Sequence, residues 1–222
     1  MPAPEQLGLP FAVRPALGRS DFLVAPSNEG ALRFVERWPD WPVRASALFG
    51  PQGAGKSHLV AVWRALSEAV LLAAEDLTLE KVTTYPGASA IAIEDVDLSP
   101  ATAERDRALM ALFERANGVL LLTGRRPPTE WTATIGDLTS RFSSLLALSL
   151  SAPDDTLLGN VARKLFADRG LLVPDNVIDR MLRVLERTPP AIAQFVERAD
   201  AAAMARQRPV TERLVLELLA EP

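Results

Sequence analysis

The stretch Gly50-Pro51-Gln52-Gly53-Ala54-Gly55-Lys56-Ser57 constrains this chain more than any other. It fits G-x-x-x-x-G-K-[ST], a pattern with physical meaning only when a strand leads into it and a helix leaves it. Both are at hand: Ala45-Ser46-Ala47-Leu48-Phe49 reads as a short buried strand, and His58 to Leu66 as a helix. The glycines let the backbone curl so that its N–H groups point inward at phosphate oxygens, and the helix N-terminus adds partial positive charge. Lys56 is then expected to neutralise β- and γ-phosphate charge, and Ser57 to hold Mg2+.

The rest of the first two thirds alternates strand and helix. Ser27 or Asn28 is placed to cap a helix running to about Trp38, and Pro39 and Pro42 break it. Val70 to Ala74 reads as a second strand and Ala90-Ile91-Ala92-Ile93 as a third, which runs into Glu94-Asp95-Val96-Asp97. After a phosphate loop, one such carboxylate can orient Mg2+ and the next can polarise an attacking water; a solvated acidic turn is the plainer alternative. Asp97 reads as a turn or cap residue. A helix over 103–116, ended by Asn117-Gly118, precedes a fourth strand at Val119 to Leu122, then Thr123-Gly124-Arg125-Arg126-Pro127-Pro128. A short helical stretch at Leu138 to Arg141 and a fifth strand at Leu145 to Leu150 complete the alternation. It implies a parallel sheet covered on both faces.

Pro153 marks a boundary. Four helical segments follow, with Thr188 as the N-cap and Pro189 as the first position of the third, and no strand appears after residue 150. Residues 1–20 are proline-rich and read as a flexible arm. Within it, Gln6-Leu7-Gly8-Leu9-Pro10-Phe11 has the spaced apolar anchors of an extended peptide that docks into a partner's groove; packing on the protein's own surface is the alternative. The expected organisation is an arm at 1–20, an α/β domain at 21–152 and a helical domain at 153–222.

Composition narrows the chemistry. The chain has no cysteine, which excludes disulfides, thiolate zinc sites and a cysteine nucleophile. Its one histidine, His58, argues against histidine metal clusters and a Ser-His-Asp triad, and reads as a helix-surface or packing residue. No signal peptide pattern opens the chain and no apolar run reaches membrane-spanning length, so a cytoplasmic protein without membrane partners is expected. A net charge of −4 disfavours sequence-independent DNA binding by the whole surface, and leaves contact through a local basic patch open.

An α/β phosphate-loop domain followed by a small helical lid resembles the AAA+ layout. The resemblance extends to DnaA-type ATPases: Asp21-Phe22 through Asn28, the phosphate loop with His58-Leu59, the Glu94-Asp95 pair, Thr123-x-x-Arg126-Pro127-Pro128 and Leu138-Thr139-Ser140-Arg141-Phe142 occur in DnaA order. It implies a nucleotide site built from Phe22, Asn28, residues 50–57, His58 and Arg187 of the lid, binding ADP or ATP. It also implies Mg2+ on Ser57 and Glu94, and catalytic roles for Glu94, Asp95 and Arg141, the last as an arginine finger. Without that context Arg141 reads as a surface salt-bridge residue.

DnaA proteins continue into a helix-turn-helix domain, and no counterpart of it is expected here. A DnaA-like ATPase without that domain resembles the Hda family, regulatory inactivators of DnaA whose N-terminal motif binds the DNA polymerase sliding clamp. Gln6, Leu7, Leu9 and Pro10 match that motif, with Phe11 as a further anchor. The resemblance implies the clamp and DnaA as partners and allows self-association. Three departures matter: Glu94 stands where relatives carry Asp, Arg125 occupies a sensor position that is usually Asp, and Pro189-Pro190 crowd Arg187. They imply good nucleotide binding and slow hydrolysis. A helicase loader or motor, and a scaffold without catalytic contribution, are the alternatives.

Overall fold

The structure, a computed structural model, describes residues 17–85, 90–115, 118–206 and 209–220. The chain divides into two compact units, the first formed by Leu17–Pro153 and the second by the chain from Asp154 onward.

The first unit is built on β1 (Ala45–Phe49), β2 (Val70–Ala73), β3 (Ala90–Glu94), β4 (Val119–Gly124) and β5 (Leu146–Ser149), in the order β2-β3-β4-β1-β5. Every pairing is parallel. Its helices are α1 (Glu29–Glu36), α2 (Lys56–Ser67), α3 (Leu79–Thr84), α4 (Ala103–Phe113) and α5 (Gly136–Ser143). Period-two alternation sorts the strand residues between two cores. Leu48, Ala90, Ala92 and Leu121 pack with Leu32 and Val35 of α1 and Leu59 and Trp63 of α2. Ala47, Ile91, Ile93, Leu120 and Leu122 pack with Val82 of α3, Leu109 and Leu112 of α4, and Leu138 and Phe142 of α5. Each such leucine or isoleucine contributes about 1.5–3 kcal/mol by leaving water. The sheet covered on both faces is as expected.

The register positions the site. Phe49 pairs with Gly124, and Ile93 with Leu122. The phosphate loop after β1 and the carboxylates after β3 therefore leave the same carboxyl edge, with β4 between them.

Local boundaries differ from the sequence reading in instructive ways. The helix after the phosphate loop starts at Lys56, so Lys56 and Ser57 sit in its first turn. Asn28 does precede α1, but its side chain makes no cap bond; it is buried and folds the preceding turn instead, as described below. The strand ending in Gly124 is longer than the apolar run, because Thr123 and Gly124 still pair with β1. α4 ends at Phe113; the expected end at 116–117 lies outside the described residues.

The second unit contains α6 (Asp155–Ala167), α7 (Asp175–Val184), α8 (Pro189–Ala205) and α9 (Glu212–Ala220). Asp154 caps α6 by accepting the Leu157 N–H at 2.7 Å, and Thr188 caps α8 from Ala191 at 3.3 Å, with Pro189 first in the helix as expected. Leu158, Phe166, Ile178, Met181, Ile192, Phe195 and Val215 share one core. Among the described residues, no helix is long and apolar enough to cross a membrane.

Candidate nucleotide site

The phosphate loop is held by glycines in backbone conformations that side chains disfavour. Gly50 has φ 149°, and a Cβ there would stand 2.0 Å from the carbonyl oxygen of Leu150, the residue after β5. Its N–H donates to the Gly124 carbonyl at 3.3 Å, pinning the loop to β4. Gly53 and Gly55 also have positive φ. Gly55 occupies the N-cap position of α2 with no side-chain cap, so that helix end has only its backbone to offer an anion.

Lys56 is nearly buried and donates from Nζ to the Gly50 carbonyl at 2.8 Å and the Pro51 carbonyl at 2.9 Å. The ammonium thus sits inside the curl of its own loop, where a phosphate would be received. Burial lowers its pKa from the ordinary lysine value, and Arg125 pushes the same way against Asp95, Asp97 and Glu94. Gln52 and Ser57 are exposed at the loop's mouth.

Glu94 ends β3, and its Oε1 is buried with no hydrogen-bond partner. An orphaned carboxylate oxygen beside a lysine is costly unless something occupies it. Asp95 has φ 58° and is exposed; its N–H donates to the Thr123 hydroxyl at 3.1 Å. No group of three or more His, Cys, Asp or Glu side chains among the described residues could hold a metal alone. Ser57 and Glu94 offer the sparse, oxygen-only set that suits Mg2+ bound mainly through phosphates and water.

Asp97 does work that its sequence position conceals. Its carboxylate accepts the backbone N–H of Arg125 at 2.9 Å and of Arg126 at 2.8 Å. It caps the loop leaving β4 as well as standing in its own turn. Gly124 makes that approach feasible: a Cβ there would lie 2.7 Å from Trp131 and 2.9 Å from Asp97 Oδ1. The exposed Arg125 is thereby held at the rim beside Lys56.

The leading segment closes one side. The buried Phe22 ring meets Gly55, where a Cβ would stand 3.2 Å from its Cε2, and packs edge-on against His58 at 5.1 Å. His58 Nε2 lies 2.9 Å from the Gly18 carbonyl oxygen, so His58 ties this segment to α2, a packing role. Asn28 accepts the Ala25 N–H through Oδ1 at 2.9 Å and donates from Nδ2 to the Leu23 carbonyl at 3.0 Å. Both ends of its amide fold the turn behind Phe22.

Arg141 lies elsewhere. On α5, its Cζ is 5.7 Å from the Phe113 ring centroid, and it lines a groove of about 270 Å3 with Arg44, Ala45, Gly118 and Leu145. Arg44 and Gly118 precede β1 and β4, so this is the amino edge of the sheet. The five residues of β1, at about 3.3 Å each, put the phosphate loop roughly 15 Å away. Arg187 belongs to the helical unit, where it pairs with Asp155 and lines a groove with Arg163, Asp179 and Arg183. Gln6, Leu7, Leu9, Pro10 and Phe11 lie outside the described residues.

No protein-family model matches the chain. Among solved structures, domain III of the Thermotoga maritima replication initiation protein DnaA superposes with TM-score 0.75 at 16% identity, covering 94% of this chain and 99% of that one. AMPPCP-bound DnaA from Aquifex aeolicus gives 0.72 at 16% identity, over 89% and 69% of the two chains. The Thermotoga maritima RuvB Holliday junction branch migration motor gives 0.71 at 13% identity, over 91% and 70%. The chain has the AAA+ fold: a five-stranded parallel sheet between helices, followed by helices.

Proposed function

We propose that this AAA+ protein binds an adenine nucleotide and regulates the initiation of chromosome replication, tethered to the sliding clamp and stimulating hydrolysis of ATP held by DnaA. The single observation that carries the reading is the position of Arg141, on the sheet edge away from its own phosphate loop. A guanidinium there serves a phosphate only on another molecule. Arginine fingers delivered to a transferring γ-phosphoryl group accelerate hydrolysis by about 10³–10⁵.

In this reading the chain's own nucleotide is chiefly structural. Backbone N–H groups of Gly53, Gly55, Lys56 and Ser57 take the phosphate oxygens, and Lys56 exchanges the Gly50 and Pro51 carbonyls for them. Phe22 walls the base side. Mg2+, held by Ser57 and Glu94, would neutralise charge between the terminal phosphates. AMPPCP-bound DnaA, with the same fold, supports nucleotide occupancy; whether ADP or ATP is resident is set by turnover. Asp95 would polarise water, but Arg125 at the rim cannot orient that water by accepting its proton as a carboxylate would, which supports slow hydrolysis. Residues 6–11 supply the clamp contact by sequence match. The test is an assay of DnaA-bound ATP: hydrolysis should accelerate only when this protein and DNA-loaded clamp are both present. Acceleration without clamp would remove the tethering role.

The likeness to the RuvB motor favours a second reading, a motor or loader driven by its own ATP cycle. Rapid turnover by the isolated protein, increased by single-stranded DNA, would select it.

A further inference from the structure

Arg105 and Asp106, in the first turn of α4, are 3% and 0% exposed. All five guanidinium N–H donors are engaged. Nε and Nη2 donate to Asp106 Oδ1 at 2.9 and 2.7 Å, Nη2 also to the Thr132 carbonyl at 2.7 Å. Nη1 donates to the carbonyls of Val96 at 3.3 Å and Ser99 at 2.8 Å. Asp106 Oδ2 accepts the Thr134 hydroxyl at 2.7 Å and the Thr134 backbone N–H. Burial alone would raise the Asp106 carboxyl, but the two Thr134 bonds and Arg105 outweigh it and hold its pKa below the ordinary value.

The two ends of this network have different duties. Val96 and Ser99 belong to the turn that follows Glu94 and Asp95. Thr132 and Thr134 lead into α5, which carries Arg141. Neither Arg105 nor Asp106 lines the phosphate loop or the Arg141 groove. Apolar residues of the same volume often stabilise such a site equally well. They would not tie the backbones of two separate segments to one point. We propose that Arg105 and Asp106 are positioning residues that make the 95–99 turn and the 132–135 stretch shift together, so that the nucleotide beside Glu94 and Asp95 sets how Arg141 is presented. This rests on the nucleotide reading above. A parallel link runs from Asp97 to the Arg126 N–H, from the Arg126 carbonyl to Trp131 Nε1 at 2.8 Å, and from the Trp131 ring to Phe142 at 5.3 Å. The expected loss on breaking one link is therefore partial.

The test is amide hydrogen exchange on the full chain, with and without AMPPCP and Mg2+. Three proteins are compared: wild type, Arg105→Lys and Thr134→Val. Arg105→Lys keeps the charge but replaces the five-donor fork with a point charge. Thr134→Val removes one hydroxyl bond only, and decides the matter if Arg105→Lys does not fold. In wild type, nucleotide should slow exchange at 50–57, at 94–99 and at 135–143. In the variants, protection at 50–57 should persist, and the nucleotide-dependent change at 135–143 should fall by at least half. A merely structural pair would lower basal protection in both ligand states and leave that difference intact. Wild-type-sized differences at 135–143 in the variants, or none in wild type, overturn the proposal. No slowing at 50–57 in wild type would instead overturn the nucleotide reading, and the coupling with it.

Discussion

Arg141 holds its guanidinium carbon 5.7 Å from the centroid of the Phe113 ring. Phe113 is the last residue of α4, whose first turn lies against the Val96–Ser99 turn at the other edge of the sheet. The length of α4 therefore separates Arg141 from its own carboxylates. A cation–π contact at a partly exposed site contributes about 0.5–1 kcal/mol, enough to favour one presentation of the side chain without locking it.

Lys56→Ala should lose nucleotide-dependent stabilisation. At ligand near a hundredfold the dissociation constant, binding adds about 2.7 kcal/mol. For a chain of this size that is a midpoint shift of about 5–10 °C. Thermal unfolding with and without ADP measures it. An equal shift in wild type and Lys56→Ala would show that the phosphates are held elsewhere.

Nucleotide binding should take up protons in the alkaline range. Burial and Arg125 lower the Lys56 pKa in the free protein, and a polyphosphate would raise it again. A group whose pKa rises on binding favours the complex while protonated. Affinity should therefore fall as pH climbs through the free-protein pKa toward and past the ordinary lysine value of about 10.4. Calorimetry in buffers of different ionisation heat reads the uptake directly, and proton release on binding would contradict it.

The strands and the phosphate loop are legible because their signals are local: a continuous apolar run in Ala90–Ile93, and a motif whose glycines suit the backbone geometry. Asp97 reads as a turn residue because its partners, the N–H groups of Arg125 and Arg126, lie 28 and 29 residues away. Arg105 and Asp106 gave no sign of burial, since adjacent opposite charges at a helix start look solvated. Asn28 has the right residue type for a cap, but its amide found backbone partners in the preceding turn. In each case a side chain's choice among competing partners was decided by tertiary placement.

Intrinsic hydrolysis should be slow. Glu94 is a longer carboxylate than Asp, and Arg125 puts positive charge at the rim where the resemblance expects a carboxylate. Single-turnover ATP hydrolysis with Mg2+ should run well below the ordinary enzyme range of about 1–10³ per second. Turnover within that range would favour the motor reading.

Clamp binding should depend on residues 6–11. Replacing Gln6 and Leu9 together by Ala should abolish it while leaving the ADP-dependent thermal shift unchanged. A short peptide that orders on binding gives modest affinity, so surface-immobilised clamp is a suitable assay. Clamp binding that survives the double substitution would place the contact outside the arm.

The central claim is that Arg141 acts on ATP held by another molecule. Clamp loaded on DNA would raise its local concentration near DNA-bound partners without new contacts. The direct measurement is the rate of hydrolysis of DnaA-bound ATP with DNA-loaded clamp, comparing wild type with Arg141→Ala. Arg141→Ala should bind ADP and clamp as wild type does, yet lose most of a stimulation on the order of 10³-fold. Undiminished stimulation by Arg141→Ala would contradict the account, because no finger would then come from this chain.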